Sequence, residues 1–82
     1  MSKLIAIDPG NRKCGIIIAN FKEKKVYEAV VIQSDLLLKF IRRISQNEKN
    51  LECLIGNGTS SKSYIKDLNE LIPNLIIAEE KN

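Results

Sequence analysis

The sequence contains no histidine and no tryptophan, and it has two cysteines, two prolines and four aromatic residues. Without histidine, catalytic triads and every acid–base scheme built on imidazole are excluded. A cysteine-based zinc site needs about four ligands, more than two cysteines can supply. Any catalysis by this chain would therefore depend on carboxylates, lysines or hydroxyl groups.

Further absences limit the partners and the compartment. The few aromatic residues do not alternate with basic ones, which disfavours recognition of single strands by base stacking. No apolar run approaches the roughly 20 residues needed to span a bilayer, and no secretory signal opens the chain. We therefore expect a cytoplasmic protein without a membrane segment. Cys14 and Cys53 lie in apolar runs, which favours buried free thiols over a disulfide.

The composition is that of a small folded domain. The chain has 82 residues, of which 44% are hydrophobic and 28% are charged, so we expect one domain. Its 13 basic and 10 acidic residues give a net charge of +3. This charge is compatible with a phosphate-bearing partner but is too small to demonstrate one.

Short apolar runs separated by turn residues predict three strands, Lys3–Asp8, Cys14–Asn20 and Val26–Ile32. The first two are apolar enough to be buried on both faces of a sheet. Apolar residues at helical spacing then follow Ser34, a candidate N-cap. A fourth strand at 51–55, a second helix capped by Ser60 or Ser61 and ended by Pro73, and a fifth strand at 75–78 complete the pattern.

This order, β-β-β-α-β-α-β, predicts an α/β fold. A meander followed by two right-handed crossovers gives a mixed five-stranded sheet in the order 3-2-1-4-5. Ligands collect beyond the carboxyl ends of parallel strands, which places Asp8, the 56–60 loop and Glu79–Glu80 at one edge. All four glycines follow strands 1 and 4, at this same edge.

The acidic residues at this edge have two interpretations each. Asp8 either binds a metal ion at the end of its strand or accepts hydrogen bonds from the following turn. Glu79 and Glu80 are either solvated or face Asp8 and share a divalent cation with it. Mg²⁺ held in this way would activate water and neutralise phosphate charge without histidine.

The loop GNGTSSK, at 56–62, opens a helix and is not a Walker A sequence. It is either a well-capped turn or a phosphate contact made by helix amides, hydroxyl groups and Lys62. Asn11, Arg12 and Lys13 are placed to meet the same anion from the first turn. Lys22, Lys24 and Lys25 predict a solvated hairpin tip, with a weak basic track as the alternative.

Three segments in this order, IAIDPGNRKCGIIIAN, LIGNGTSSK and LIIAEEKN, resemble the YqgF (RuvX-like) branch of the RNase H-like nucleases. The resemblance implies an RNase H-like core and a metal-dependent nuclease that acts on structured RNA, such as precursors of ribosomal RNA, or on branched DNA. We expect Mg²⁺ or Mn²⁺ as the cofactor and nucleic acid as the partner, with a homodimer as a further possibility.

The resemblance also assigns roles to residues. Asp8 and Glu80 match the catalytic metal ligands, and Glu79 matches an acidic neighbour of the second. Asn57 and Thr59 match the loop beside the site, and Asn11, Arg12, Lys13 and Lys62 are expected to orient the phosphate.

This chain departs from the YqgF pattern after its fifth strand. The family continues with a helix that carries a third carboxylate, and this sequence stops at Asn82. We therefore expect a fragment of a longer nuclease, with the activity of this chain alone left open. A binding module for nucleic acid or protein is the main alternative. The spacing Asp8-Pro9-Gly10-(x)4-Gly15 also resembles the first phosphate loop of the actin and sugar-kinase ATPases, which share this topology.

Overall fold

A computed structural model describes residues 3–48, 50–56, 62–72 and 74–78, with Lys62 as backbone only. The described residues form five strands, two α-helices and one 3₁₀ turn. The strands are β1 (Lys3–Asp8), β2 (Lys13–Asn20), β3 (Lys25–Gln33), β4 (Leu51–Gly56) and β5 (Leu75–Ala78), the 3₁₀ turn is Ser34–Leu36, and the helices are α1 (Leu37–Asn47) and α2 (Lys62–Leu71).

The five strands form one mixed sheet in the order β3-β2-β1-β4-β5, which confirms the predicted α/β topology. Strands β1, β2 and β3 pair as an antiparallel meander. Strands β1, β4 and β5 run parallel, because each crossover through a helix returns the chain to the same end of the sheet. Strand β1 is therefore central and ends at Asp8.

The core lies between the sheet and the two helices. Ile5 and Ile7 of β1 pack with Leu37 and Ile41 of α1 and with Leu68 of α2. The apolar residues of α1 and α2 recur at helical spacing, which puts them on the side of each helix that meets the sheet. Both helices thus cover one face of the sheet, which we call the helical face.

The prediction that β1 and β2 are buried on both faces is wrong. Side chains alternate along a strand, so the neighbours of Ile5 and Ile7 point to the other side of the sheet. On that side Ile17 of β2 is 44% exposed and Val31 of β3 is 69% exposed. Because both described helices lie on the helical face, none of the described elements covers this second face, which we call the open face.

One ion pair joins the sheet to α1 at the end remote from Asp8. Lys3 Nζ at the start of β1 lies 2.8 Å from Glu48 Oε1, just after α1. The hydrogen bond to Glu48 raises the pKa of Lys3 above its ordinary value. In the described part of the chain, no helix is long and apolar enough to cross a bilayer.

Candidate functional site

The register of the sheet fixes what surrounds Asp8. Asp8 pairs with Gly15 across the antiparallel β1–β2 ladder. Ile7 pairs with Ile55 in the parallel β1–β4 ladder, so that continuing this register by one residue places Gly56 beside Asp8. Asp8 is therefore flanked by a glycine on each neighbouring strand. The Asp8 carboxylate stands between two positions without side chains, which leaves room for a ligand on either side.

This open space forms part of a concavity of about 400 Å³ on the open face, over β1, β2 and β3. Asp8 and Gly15 lie at one end, and the remaining lining is aliphatic, with Ala6, Ile17 and Ala29 among it. Asp8 is the one ionisable side chain among the described residues that line it. The concavity thus combines a single carboxylate with an apolar surface, a common composition for a ligand site.

The exposure of Asp8 corrects one premise of the sequence analysis. The apolar strand suggested a carboxylate that loses its hydration and needs a compensating charge, whereas Asp8 is exposed. Because the carboxylate remains hydrated, folding alone does not require a cation beside it. Its placement between two glycines, and not burial, is what makes it available to a ligand.

The turn between β1 and β2 is held in place by hydrogen bonds from Ser34, the residue that follows β3. Ser34 is buried, and its Oγ donates a hydrogen bond to the carbonyl oxygen of Gly10 at 2.7 Å. The Ser34 amide donates to the carbonyl oxygen of Arg12 at 2.8 Å, which extends the β2–β3 pairing. Both carbonyl groups of the turn therefore point toward Ser34, which fixes the path of the chain next to Asp8.

Ser34 was predicted to cap the first helix, and this prediction is wrong. The start of the 3₁₀ turn and the start of α1 have no side-chain cap hydrogen bond. The Ser34 hydroxyl is committed to Gly10, with Cys14 Sγ 3.4 Å away. Sequence reasoning missed this role because the contact joins positions 24 residues apart, and a local pattern carries no signal for it.

Gly10 is needed for the close approach of the two arms of this turn. A Cβ at Gly10 would overlap the carbonyl oxygen of Lys13. This oxygen belongs to the backbone, so it cannot move away as the end of a flexible side chain could. Gly15 is different, because a Cβ there would contact Asp8 Cβ at 3.7 Å, an ordinary distance. Gly10 therefore serves the turn, whereas Gly15 keeps the space beside Asp8 open.

The predicted basic and amide residues of the first turn are on the surface. Asn11, Arg12 and Lys13 are all exposed. Alternation along β2 puts Lys13 on the same face as Gly15, and therefore on the face of Asp8. Among the described residues, Lys13 thus places a cation on the open face near the Asp8 end of the concavity. The predicted roles of these three residues in phosphate binding stay predictions.

Most of the other predicted ligands lie outside the described residues. Asn57, Thr59, Glu79 and Glu80 lie outside the described residues, and Lys62 is described only as the first residue of α2. Strand β5 ends at Ala78, which pairs with Gly56. Position 78 is thus two strand spacings, roughly 10 Å, from Asp8 along the same edge. The shared metal site of Asp8, Glu79 and Glu80 stays a prediction.

A divalent ion needs oxygen ligands, and among the described residues Asp8 is the candidate for one. No three acidic or cysteine side chains within the described ranges are grouped to hold one. A single exposed carboxylate with open space on both sides still fits Mg²⁺ or Mn²⁺, because such ions keep several waters and take further ligands from phosphate oxygens. Asp8 is the described residue that would hold the ion, together with a bound phosphate.

The two cysteines are free and buried, as predicted. Burial raises the pKa of the Cys53 thiol to about 12. The thiol therefore stays protonated and unreactive at neutral pH.

Comparison with known proteins supports the fold and gives no family. No protein-family model and no curated protein matches the sequence. Among solved structures, the chain is similar to the Ppx/GppA phosphatase of Aquifex aeolicus, in the crystal structure of its type II variant, with a TM-score of 0.55 and 7% sequence identity. The match covers 99% of this chain and 37% of the phosphatase. At this identity the similarity shows a common fold and nothing beyond it.

The predicted membership of the YqgF branch of nucleases is wrong on these comparisons. No family model supports it, and the Aquifex aeolicus structure to which the chain is similar is named as a phosphatase and not as a nuclease. The predicted hydrolysis of RNA or branched DNA by Asp8 and Glu80 is therefore also wrong. The DPG part of the motif was not specific to the nucleases, since Asp8-Pro9-Gly10-(x)4-Gly15 also resembles the first phosphate loop of the actin and sugar-kinase ATPases.

Proposed function

We propose that this chain is a phosphate-binding lobe of the actin and sugar-kinase type. In this proposal the β1–β2 turn, Asp8 and Lys13 bind phosphate groups together with a divalent cation. The observation that carries the proposal is the exposed Asp8 carboxylate between Gly15 and Gly56, next to a turn whose path Ser34 holds in place. The similarity to a protein named as a phosphatase supports it.

Each residue has a distinct part in this proposal. Asp8 holds Mg²⁺ or Mn²⁺ by one carboxylate, and the ion neutralises part of the phosphate charge when it is bound. Lys13 adds a positive charge on the same face. Ser34 keeps the Gly10 and Arg12 carbonyl groups turned away, so that fewer oxygen dipoles oppose the anion. The chain spans about a third of the phosphatase it matches, so binding and not turnover is what we assign to it.

Paramagnetic broadening by Mn²⁺ tests this proposal. Amide resonances of the wild type should broaden at 8–15 and 54–56 when Mn²⁺ is added, and tripolyphosphate should strengthen the effect. Asp8→Asn should abolish the broadening because it removes the carboxylate charge. Asp67→Asn is the matched control, since Asp67 is an exposed aspartate on α2. Broadening that survives in Asp8→Asn, or that spreads evenly over the acidic surface, would refute the proposal.

A further inference from the structure

The open face contains an apolar row that crosses the whole sheet. Its members are paired from strand to strand by the register of the four ladders. In the sheet order β3 to β5 they are Ala29, Ile17, Ala6, Leu54 and Ile76. The row has no polar side chain, yet Ile17 is 44% exposed and Ile76 is 50% exposed. Apolar surface of this extent on a folded domain marks a binding surface.

The next row toward the carboxyl end of β1 contains Asp8 and is made of small residues. Gly15 and Gly56 flank Asp8, and Ala78 lies beyond Gly56. Val31 at the opposite edge is the one large side chain of the row and is 69% exposed. A row of small residues beside a row of larger ones produces the concavity. Its bottom includes the backbone at Gly15, and Ile17 on the same strand and Val31 on the neighbouring strand border it.

We infer that this concavity binds a flat apolar group of the phosphate-bearing ligand. The ligand would then be a phosphate ester with an aryl or similarly planar body, and not inorganic phosphate or polyphosphate. This inference rests on the proposed function, since it takes the phosphate at Asp8 as given. It adds the class of the ligand and the surface that selects it.

The spacing of the rows supports this assignment. Rows on one face of a strand are two residues apart, which is about 7 Å. A phosphate held at the strand end by Asp8 and Lys13 would place a directly attached ring over Gly15, which lies between Asp8 and Val31 in its row. Because Gly15 has no side chain, a flat ring can lie close to the sheet there, in contact with Ile17 and Val31 at its edges. The volume of about 400 Å³ is within the range of small-molecule sites.

The composition of the lining supports an uncharged body. Asp8 is the one ionisable group among the described lining residues, and in the proposal the cation at the phosphate offsets its charge. Beyond Asp8, the described lining offers the ligand aliphatic surface and no further side chain that hydrogen-bonds. Transfer of about 100 Å² of apolar ligand surface from water would raise affinity on the order of tens of fold.

The test compares two phosphate monoesters with the same head group. In the presence of Mg²⁺, 1-naphthyl phosphate and methyl phosphate are titrated while amide resonances are followed. We expect 1-naphthyl phosphate to bind at least tenfold more tightly, with additional shifts at Ala6, Ile17 and Ala29. Ala29→Leu should remove this advantage and leave methyl phosphate unaffected, because it fills the concavity. Val31→Phe, at an exposed position that carries little risk for folding, should narrow the concavity and do the same.

The control variant is Ala19→Leu, the same substitution on the same face at a position that does not line the concavity. It should keep the preference for 1-naphthyl phosphate. Equal affinities of the two esters for the wild type would overturn the inference and leave the proposed function standing. Binding of neither ester would refute the proposed function itself. A wild-type dimer in sedimentation velocity that Val31→Phe dissociates would also overturn the inference, since a second copy would then occupy this surface.

Discussion

The Ser34 hydroxyl is the contact on which we expect the shape of the β1–β2 turn to depend most. Ser34→Ala removes the donor that lies 2.7 Å from the Gly10 carbonyl oxygen. A neutral hydrogen bond contributes about 1 kcal/mol net, and a fully buried acceptor left without a partner costs up to about 3 kcal/mol. Gly10 is half-buried, so water reaches it in part. We therefore expect a loss of about 1–1.5 kcal/mol in the free energy of unfolding.

In a domain of this size, a loss of 1 kcal/mol lowers Tm by about 4–8 °C. The expected decrease for Ser34→Ala is thus about 4–12 °C in a thermal melt followed by circular dichroism. Urea unfolding should show a lower midpoint with an unchanged slope, because the surface exposed on unfolding stays the same. Amide exchange should also become faster at 11–13, since the turn is no longer held.

Ser45→Ala is the matched control for this prediction. Ser45 Oγ also donates to a backbone carbonyl oxygen, that of Arg42 at 2.9 Å, but the bond is exposed within α1. Water replaces it at little cost, and alanine favours the helix, so stability should stay the same or rise slightly. A Ser34→Ala protein as stable as the wild type, or equal losses in both variants, would refute the role assigned to Ser34.

Three further predictions concern glycine, charge and thiol chemistry. Gly10→Ala should lower the free energy of unfolding by about 1–3 kcal/mol in urea, because the new Cβ overlaps the Lys13 carbonyl oxygen. Gly15→Ala should leave stability nearly unchanged and weaken the Mn²⁺ broadening at Asp8. The reverse pattern would contradict our assignment. The pKa of Lys3 is raised in the folded state. The wild type should therefore be more stable than Lys3→Gln below the ordinary lysine pKa, and this difference should vanish as the pH rises through the higher folded value. A difference in stability that grows toward high pH would contradict this. In a Cys14→Ala background, Cys53 should react with Ellman's reagent at pH 8 only as the protein unfolds, since burial raises its pKa to about 12; rapid labelling of the native protein would contradict this.

The sequence predicts the order of elements and the order of the strands, because both depend on local signals. Runs such as Lys3–Asp8 and Leu51–Ile55 are too short for helices and are bounded by turn residues. Once the three strands of the meander are assigned, the handedness rule for parallel crossovers leaves few arrangements of the sheet. The position of Asp8 at the carboxyl edge follows from the same two steps.

The sequence predicts the environment of the site less well, because that environment depends on contacts between distant segments. The apolar run at Ile16–Ile18 looks the same whether one or two faces are covered, and only the side taken by α1 and α2 decides that Ile17 is exposed. Gly15 and Gly56 are conspicuous in the sequence, but their alignment with Asp8 is a property of register. The family resemblance failed because it rested on short motifs, and the spacing from Asp8 to Gly15 also resembles the phosphate loop of the actin and sugar-kinase ATPases.

The contact between Ser34 and Gly10 also has a consequence for the order of folding. Ser34 follows β3, and it meets a turn that precedes β2. An emerging polypeptide that has been synthesised only through β2 already contains Asp8, Gly10, Lys13 and Gly15, yet it lacks the hydroxyl that holds the turn at Gly10. On the proposed function, the binding surface is therefore complete only after the third strand has docked, so that ligand affinity depends on completion of the meander.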